Sequence, residues 1–560
     1  MFDPLTPDSY QPRLSNTFSL LSDLHRAARM LEENPKSQKE FTVLKAELSE
    51  VVEQEKDILN SLPFLRSTTR TYLTRSAKDL IPLFPTLKTE QEEYCRKIEL
   101  GLIEASRGLP EKKEQALRAV RRLATLALQD GRTAEEMRAL ADEAHLGQSP
   151  EDFANHLITG IKPVEDTMRC ILAVVGQVPD VKSICRKVGF NVVPEHEFQE
   201  GLAKEFHDSV VSELVPQNSD DEVLLIEKTL TSSSRRKAAK DAVRDLRDSI
   251  DIFNFYSECS AIRTSDEALV KKGGEEFVRT RIANYELRQR RPRRPRQLTI
   301  KTLDTVPLEN LNGRILNALE HYRLAHSSSA LRVKLVNLWT GLECLAGASD
   351  SIIDQVCELV APIVAWRRSD KLLTYAASCL QQHRLGNEHA LPASLTPRTD
   401  AVSRENLLLL LAKPEGEPGL RQLSDFAQDH PLLRNRLFVL RKTFSEPKTL
   451  RSELLLSHSR VVWFLHRIYA SRNLIIHQGS DNDSLQPLLD ALHYYFSLTL
   501  SRILHGMQLR PNFSLDETIA YWQARFAHLM LALEEDPKSL RVYDFFPTPF
   551  KADSNKPVWT

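Results

Sequence analysis

A mainly α, multi-domain protein is what this sequence predicts, and three observations carry the prediction. Leu, Ala, Glu, Arg and Lys, all strong helix formers, are prevalent along the chain. Glycine is scarce, 18 in 560 residues, which argues against a loop-rich or all-β chain. Apolar residues recur at steps of three and four over long stretches, the spacing of one helix face. The length exceeds what one hydrophobic core serves, and at roughly 100–200 residues per domain it suggests about three units. With 41% hydrophobic and 27% charged residues, the composition is that of a folded, soluble chain rather than a disordered one.

The first segment, 1–160, reads as a helical N-terminal domain. A stripe of Leu20, Leu24 and Leu31 ends at Asn34-Pro35, a helix stop. Phe41, Leu44, Leu48, Val51, Ile58 and Leu62 then follow a heptad spacing, with Glu55 on the seam. Together they predict a helical hairpin, used for packing inside the domain or for a partner's coiled coil. A further helix pair is expected around 88–107 and 111–129, broken by Gly108-Leu109-Pro110.

A second segment, 161–287, reads as mixed and mostly helical. Met168 to Val175 is mostly apolar, and Gly189-Phe-Asn-Val-Val-Pro194 is either a short strand or an extended loop. A charged helix follows at Ser234–Phe255, carrying Arg235, Arg236, Lys237, Lys240, Arg244 and Arg247. It ends in Phe253, Phe255 and Tyr256. Its basic side is a solvated face or an RNA contact.

The sharpest composition shift is a basic linker, 288–305. Arg288, Arg290, Arg291, Arg293, Arg294 and Arg296 stand around two prolines, which prevent helix and favour an extended strand. The tract is either a plain linker or an arm that contacts phosphates.

From 306 to 530 the chain is helical again, and 531–560 reads as a C-terminal tail. A helix at Leu308–Leu324 is followed by Ala330–Ala346, with Trp339 and Glu343 on it. The stretch 383–420, rich in Pro, Gly and Asn, reads as long loops. Two strongly apolar helices close the segment, Leu454–His477 and Leu485–Met507, joined by the polar turn Gln478-Gly-Ser-Asp-Asn-Asp-Ser484.

Several function classes are disfavoured. The net charge is −1, with 75 basic against 76 acidic residues, so nucleic-acid binding would need a local patch. Seven scattered cysteines (Cys95, Cys170, Cys185, Cys259, Cys344, Cys357 and Cys379) contain no C-x-x-C, which fits reduced thiols in a cytoplasmic protein better than a disulfide framework or a zinc site. The N-terminal MFDPLTPDSYQPRL lacks a basic region followed by an apolar run, so no signal peptide is expected. No stretch of about 18 uninterrupted apolar residues predicts a membrane span.

The residues that carry chemistry are Ser471-Arg-Asn-Leu-Ile-Ile-His477. An Arg followed by a His with four to six residues between them occurs six times: Arg138/His145, Arg314/His321, Arg384/His389, Arg451/His458, Arg460/His466 and Arg472/His477. Context selects the last pair. It closes a long apolar helix, has Asn473 directly after the arginine, and precedes a glycine-containing turn into another apolar helix. Arg384/His389 spans Gly386-Asn387 and reads as loop; the other four lie inside helices.

Arg472, Asn473, three apolar residues and His477 resemble the R-x4–6-H signature of HEPN domains. Ala330-Leu-Arg-Val-Lys-Leu-Val-Asn-Leu-Trp-Thr-Gly-Leu-Glu-Cys-Leu345 is similar to the first core helix of the HEPN domains in ApeA-like phage-defence proteins. The resemblance covers roughly residues 306–530 and implies a C-terminal HEPN-type helical bundle. It further implies a metal-independent RNA endonuclease of antiviral defence or abortive infection, acting on host or phage RNA such as tRNA. It also implies a homodimer whose motifs meet across a two-fold axis, and a possible phage-derived trigger. Some HEPN toxins are silenced by modification of a tyrosine just after the motif; Gln478-Gly479-Ser480 follows His477 here.

The residue types suit that chemistry. In RNA the 2′-hydroxyl can attack the adjacent phosphorus without a metal or cofactor. Histidine as a residue type titrates near neutral pH and can move that proton or protonate the leaving 5′-oxygen. Arginine can clamp phosphate oxygens and oppose the charge of the transition state. Asn473 would hydrogen-bond the phosphate or orient His477, or is an ordinary helix-end polar residue. Glu343, among Leu342 and Leu345, either pairs with Arg472 or faces outward. A condition follows from geometry. At about 100° per residue, positions five apart lie roughly 140° apart around a helix. The last turn would therefore unwind before Gly479, or two chains would share the site. The alternative function is a non-catalytic HEPN-like RNA- or nucleotide-binding and dimerisation module.

Overall fold

The computed structural model of the chain describes residues 16–281, 313–546 and 558–559. Within them it leaves out 34–37, 81–83, 110, 130–136, 138–139, 142–148, 162–165, 177–180, 183, 186–187, 195–200, 216–221, most of 233–261, 329, 348–350, 385–389, 397–400, 415, 429, 479–484 and 511. The fold is mainly α. In chain order the helices are α1 (Thr17–Glu33), α2 (Gln38–Gln54), α3 (Lys56–Asn60), α4 (Pro63–Thr74), α5 (Ala77–Leu80), α6 (Phe84–Arg107), α7 (Lys113–Gln129), α8 (Pro150–Ile161) and α9 (Leu202–Leu214). They continue with α10 (Gly313–Ser327), α11 (Leu331–Ala346), α12 (Ile352–Gln382), α13 (Arg404–Leu411), α14 (Pro418–Phe426), α15 (Pro431–Ser445), α16 (Pro447–Gln478), α17 (Leu485–Leu509) and α18 (Leu515–Glu535). Among the described residues no helix is long and apolar enough to cross a membrane.

The contacts divide the chain into two compact units. One joins residues 1–92 with 287–560; the other is residues 93–286. The unit boundary at 286/287 agrees with the expected end of the middle segment, whereas the expected boundary at 160 is replaced by one at 92/93. The first helices pack with the C-terminal helices instead of forming a domain with 93–160. The helical hairpin itself forms from α1 and α2, and its heptad stripe is spent inside the chain: Phe41, Leu44, Leu48, Val51, Ile58 and Leu62 are all buried. Glu55 explains its own place on that seam. It is buried, and its Oε2 accepts hydrogen bonds from the Thr17 backbone N–H at 3.2 Å and the Thr17 hydroxyl at 2.6 Å, capping the start of α1.

The second unit centres on an antiparallel sheet, where the sequence predicted mostly helix. The strands are β1 (Asp166–Gly176), β2 (Asn191–Val192), β3 (Glu222–Ser232), β4 (Arg263–Lys272) and β5 (Val278–Arg281), in the order β2-β3-β1-β4-β5. Alternate residues of β1 face opposite sides. Met168, Cys170, Leu172 and Val174 pack against Ala238, Ala242, Val243 and Leu246. Ile171, Ala173 and Val175 pack against Phe206 and Val210 of α9. Both faces of the central strand are therefore covered, which is why β1 reads as a continuous apolar run without alternation. β3, beside the central strand, is disguised by charge: Glu227 and Lys228 lie inside it, and Glu227 pairs with Arg169 on β1. The Gly189–Pro194 stretch contributes the two-residue strand β2. Of the basic helix, the described apolar side is the one against the sheet. Arg236, Lys237, Lys240, Arg244 and Arg247, with Phe253, Phe255 and Tyr256, lie outside the described residues.

In the first unit, α12 and α16 form the centre. Nearly every turn of α12 buries apolar side chains, from Ile353 to Leu380, the pattern of a core helix rather than a surface one. Packing is tightest where glycine permits it. A Cβ added at Gly341 would lie 2.5 Å from Phe496 Cε2, so the Phe496 ring of α17 occupies the space that a side chain on α11 would need. The segment after α18 is no free tail: Leu540, Val542, Phe545, Phe546, Val558 and Trp559 are buried, and the Trp366 indole donates to the Asp544 carbonyl at 2.8 Å.

The tie between α16 and the N-terminal hairpin is ionic. Arg467 is buried, its Nε donating to Asp23 Oδ2 on α1 at 3.1 Å and its Nη2 to Glu47 Oε2 on α2 at 2.5 Å. Burial opposes its charge and the two carboxylates more than offset this, so the Arg467 guanidinium stays cationic. Arg467→Ala would take from the buried Glu47 the guanidinium that lies on its carboxylate. We expect a loss of about 3–5 kcal/mol in urea unfolding, against a change within about 0.5 kcal/mol for the exposed Arg421→Ala.

Candidate active site

Arg472, Asn473 and His477 all lie on α16, which runs unbroken from Pro447 to Gln478. The helix does not unwind before Gly479, because its hydrogen-bonded frame continues one residue past His477. The three side chains thus keep helical angular relations. Arg472 and His477 emerge roughly 140° apart, whereas Asn473 and His477, four residues apart, emerge within roughly 40° and share a face. The Arg472 side chain bridges part of the difference. Its Nη1 donates to Asn473 Oδ1 at 3.0 Å, drawing the guanidinium toward the Asn473 side. That bond also orients the amide: with Oδ1 committed to Arg472, the Asn473 NH2 is left to donate elsewhere. His477 is exposed in the last turn, beside Ile476, which is 45% exposed.

Glu343 comes from α11 and meets Arg472, with Oε2 3.7 Å from Nη2. Of the two readings of Glu343, the structure has the paired one. Both side chains are about one-fifth exposed, at 19% and 22%, so their attraction is screened less than that of a surface pair. At 3.7 Å the contact is an ion pair longer than a good hydrogen bond. The guanidinium is held near Glu343 without being fully occupied by it, and Arg472 Nε is buried with no acceptor. The other oxygen of Glu343 is taken: the Trp339 indole N–H donates to Oε1 at 2.6 Å. Trp339 is itself fully buried and packs 5.5 Å from the Tyr469 ring of α16.

The arrangement offers a cation held by one carboxylate and one amide, a free amide donor, and an exposed imidazole one helical turn away. Such a set can bind an anionic oxygen and move a proton. It does not offer a thiol nucleophile, since burial, reinforced by the neighbouring Glu343 charge, pushes the Cys344 thiol up. Among the described residues no group of three or more His, Cys, Asp or Glu is placed to hold a metal ion.

The competing arginine–histidine pairs are engaged elsewhere where they are described. Arg314 bonds Asp516 and the Cys344 and Leu345 carbonyls. Arg451 bonds Glu534 and the Met530 carbonyl, and His458 stacks on Phe526. His466 is buried. Arg138, His145 and His389 lie outside the described residues.

So do Arg288, Arg290, Arg291, Arg293, Arg294 and Arg296, and the turn 479–484. The apolar residues of the two closing helices are mostly spent inside the chain: Val461, Phe464, Leu465 and Ile468 of α16 and Leu488, Leu492, Tyr495, Phe496 and Ile503 of α17 are buried, and Val462 is half-buried. Their wide apolar girth is that of core helices packed on several sides. Trp339 and Tyr469 were not anticipated as parts of the site. The signal for Trp339 was present, as an indole four residues before a carboxylate on one helix face. No family model, no curated protein and no solved structure matches the chain.

Proposed function

We propose that this chain is a metal-independent RNA endonuclease of the HEPN kind, acting in defence against phage by cutting host or phage RNA, with tRNA as one candidate. The observation that carries the reading is the Glu343–Arg472–Asn473 contact set beside the exposed His477. The 2′-hydroxyl attacks the adjacent phosphorus, the bond to the 5′-oxygen breaks, and the products are a 2′,3′-cyclic phosphate and a 5′-hydroxyl. His477 moves the proton between these oxygens. Arg472 and the Asn473 amide donate to the non-bridging oxygens as charge builds. The Arg288–Arg296 tract would add phosphate contacts.

A second reading is a non-catalytic RNA- or nucleotide-binding and dimerisation module. The unbroken helix favours it, because Arg472 and His477 leave α16 in different directions. A shared site in a homodimer reconciles that geometry with catalysis. Its interface would have to use a surface other than the buried faces of α16 and α17.

Replacing His477 by Ala should lower cleavage roughly 10²–10⁴-fold with the fold retained, since the side chain is exposed. His528, also exposed, is the control, because the buried His466 would disturb packing. Cleavage should survive EDTA and leave ends that resist direct 3′ ligation. Unchanged cleavage by His477→Ala removes the assignment. Mixing inactive Arg472→Ala and His477→Ala chains under subunit exchange should restore part of the activity if the site is shared.

Changing Arg293, Arg294 and Arg296 to Ala should weaken RNA binding. Each lost phosphate contact should lower the slope of log K against log salt by about 0.7–0.9. Unaltered affinity and slope would reduce the tract to a linker.

A further inference from the structure

We infer that Trp339 is a positioning residue: its indole N–H fixes the Glu343 carboxylate, and Glu343 in turn sets where the Arg472 guanidinium lies. The functional consequence rests on the nuclease reading, while the coupling itself does not.

The argument begins with donor arithmetic. An indole has one N–H and no acceptor, and a buried one needs a partner. Trp339 and Glu343 are four apart on α11, so they sit one above the other on one face. The bond at 2.6 Å is of the charge-assisted length and takes Oε1. This leaves Oε2 as the oxygen nearest Arg472. A carboxylate on a flexible stem rotates freely unless one oxygen is pinned, and the indole pins it.

The ring is fixed in turn. Trp339 is fully buried and lies against Tyr469, one turn before Arg472 on α16. The indole therefore touches both helices whose relative placement decides the Glu343–Arg472 distance. Arg472 has no strong bond of its own to Glu343, being 3.7 Å away. Its position is accordingly sensitive to small rotations of the carboxylate. A guanidinium that must meet developing negative charge loses its advantage when displaced by about 1 Å.

A purely structural tryptophan would satisfy its N–H on whatever acceptor is near, and removing the donor would change stability alone. Trp339→Phe in the full-length chain separates the cases, because it keeps an aromatic ring and deletes the donor. We expect kcat for a single-stranded RNA substrate to fall about tenfold or more, the size of one hydrogen bond to a charged group. KM should stay within about twofold, since ground-state binding does not depend on the alignment. Glu343→Gln should fall at least as far.

A spectroscopic arm is independent of activity. The chain has five tryptophans, so five indole N–H signals are expected in a ¹⁵N-labelled sample, and Trp339→Phe assigns one of them. That signal should lie downfield and should move in both Glu343→Gln and Arg472→Ala. Wild-type kcat in Trp339→Phe, in a protein that Arg472→Ala inactivates, overturns the inference. So does an indole signal that neither Glu343→Gln nor Arg472→Ala shifts. If the wild-type protein cleaves no RNA, the nuclease reading fails by itself and the indole shifts alone decide the coupling.

Discussion

A cation inside a packed helix cluster has to bring its counter-charge with it, and this requirement organises the larger unit. α16 is covered on several sides, yet it carries charged residues along its whole length. Four of them find partners on different neighbours. Arg451 reaches Glu534 on α18, Glu453 takes Arg368 from α12, Arg467 takes Asp23 and Glu47 from α1 and α2, and Arg472 takes Glu343 from α11. Apolar burial is non-directional and would accept many rotations and slides of the helices. The ion pairs select one, because breaking a buried pair leaves an uncompensated charge. Their worth lies in specifying the arrangement more than in net stability.

The candidate site is the exposed end of that series. Moving along α16 from Arg467 to His477, the side chains pass from fully buried, through half-buried at Arg472 and Asn473, to exposed. The same helix is thus anchored in the core and open to a ligand within ten residues. Rigidity at the anchored end gives the open end a defined orientation, the condition for groups that must meet charge as it develops. The N-terminal hairpin belongs to this support. Its two carboxylates hold Arg467 of the helix that carries the motif, so residues before 93 contribute to the frame around the site and not only to a separate module.

The unit of residues 93–286 follows another logic. Its sheet needs cover on both faces, and α9 on one side and the Ala238–Ile250 segment on the other supply it. The alanines and leucine of that segment bury against β1.

What the sequence determined by itself was local. Helix-forming composition, scarce glycine and stepwise apolar spacing set the mainly α class, the α1–α2 hairpin and the long helix ending at His477. The context of Arg472, with Asn473 beside it, separated one pair from five similar ones, and Glu343 was legible as a carboxylate in need of a partner. Tertiary structure decided the rest. β3 was concealed because Glu227 and Lys228 interrupt its apolar pattern and find their partners only in the folded chain, Glu227 at Arg169 on β1 and Lys228 at the Val188 carbonyl. The placement of α1 and α2 against α16 depends on Asp23 and Glu47 meeting Arg467, more than 400 residues away in sequence. No periodicity encodes such a pairing. The apolar girth of α16 and α17 fits a core helix and an interface helix equally, and only the packed neighbours distinguish them. Trp339 became part of the site for the same reason: its hydrogen bond is local and readable, but its meaning depends on which helix lies across from it.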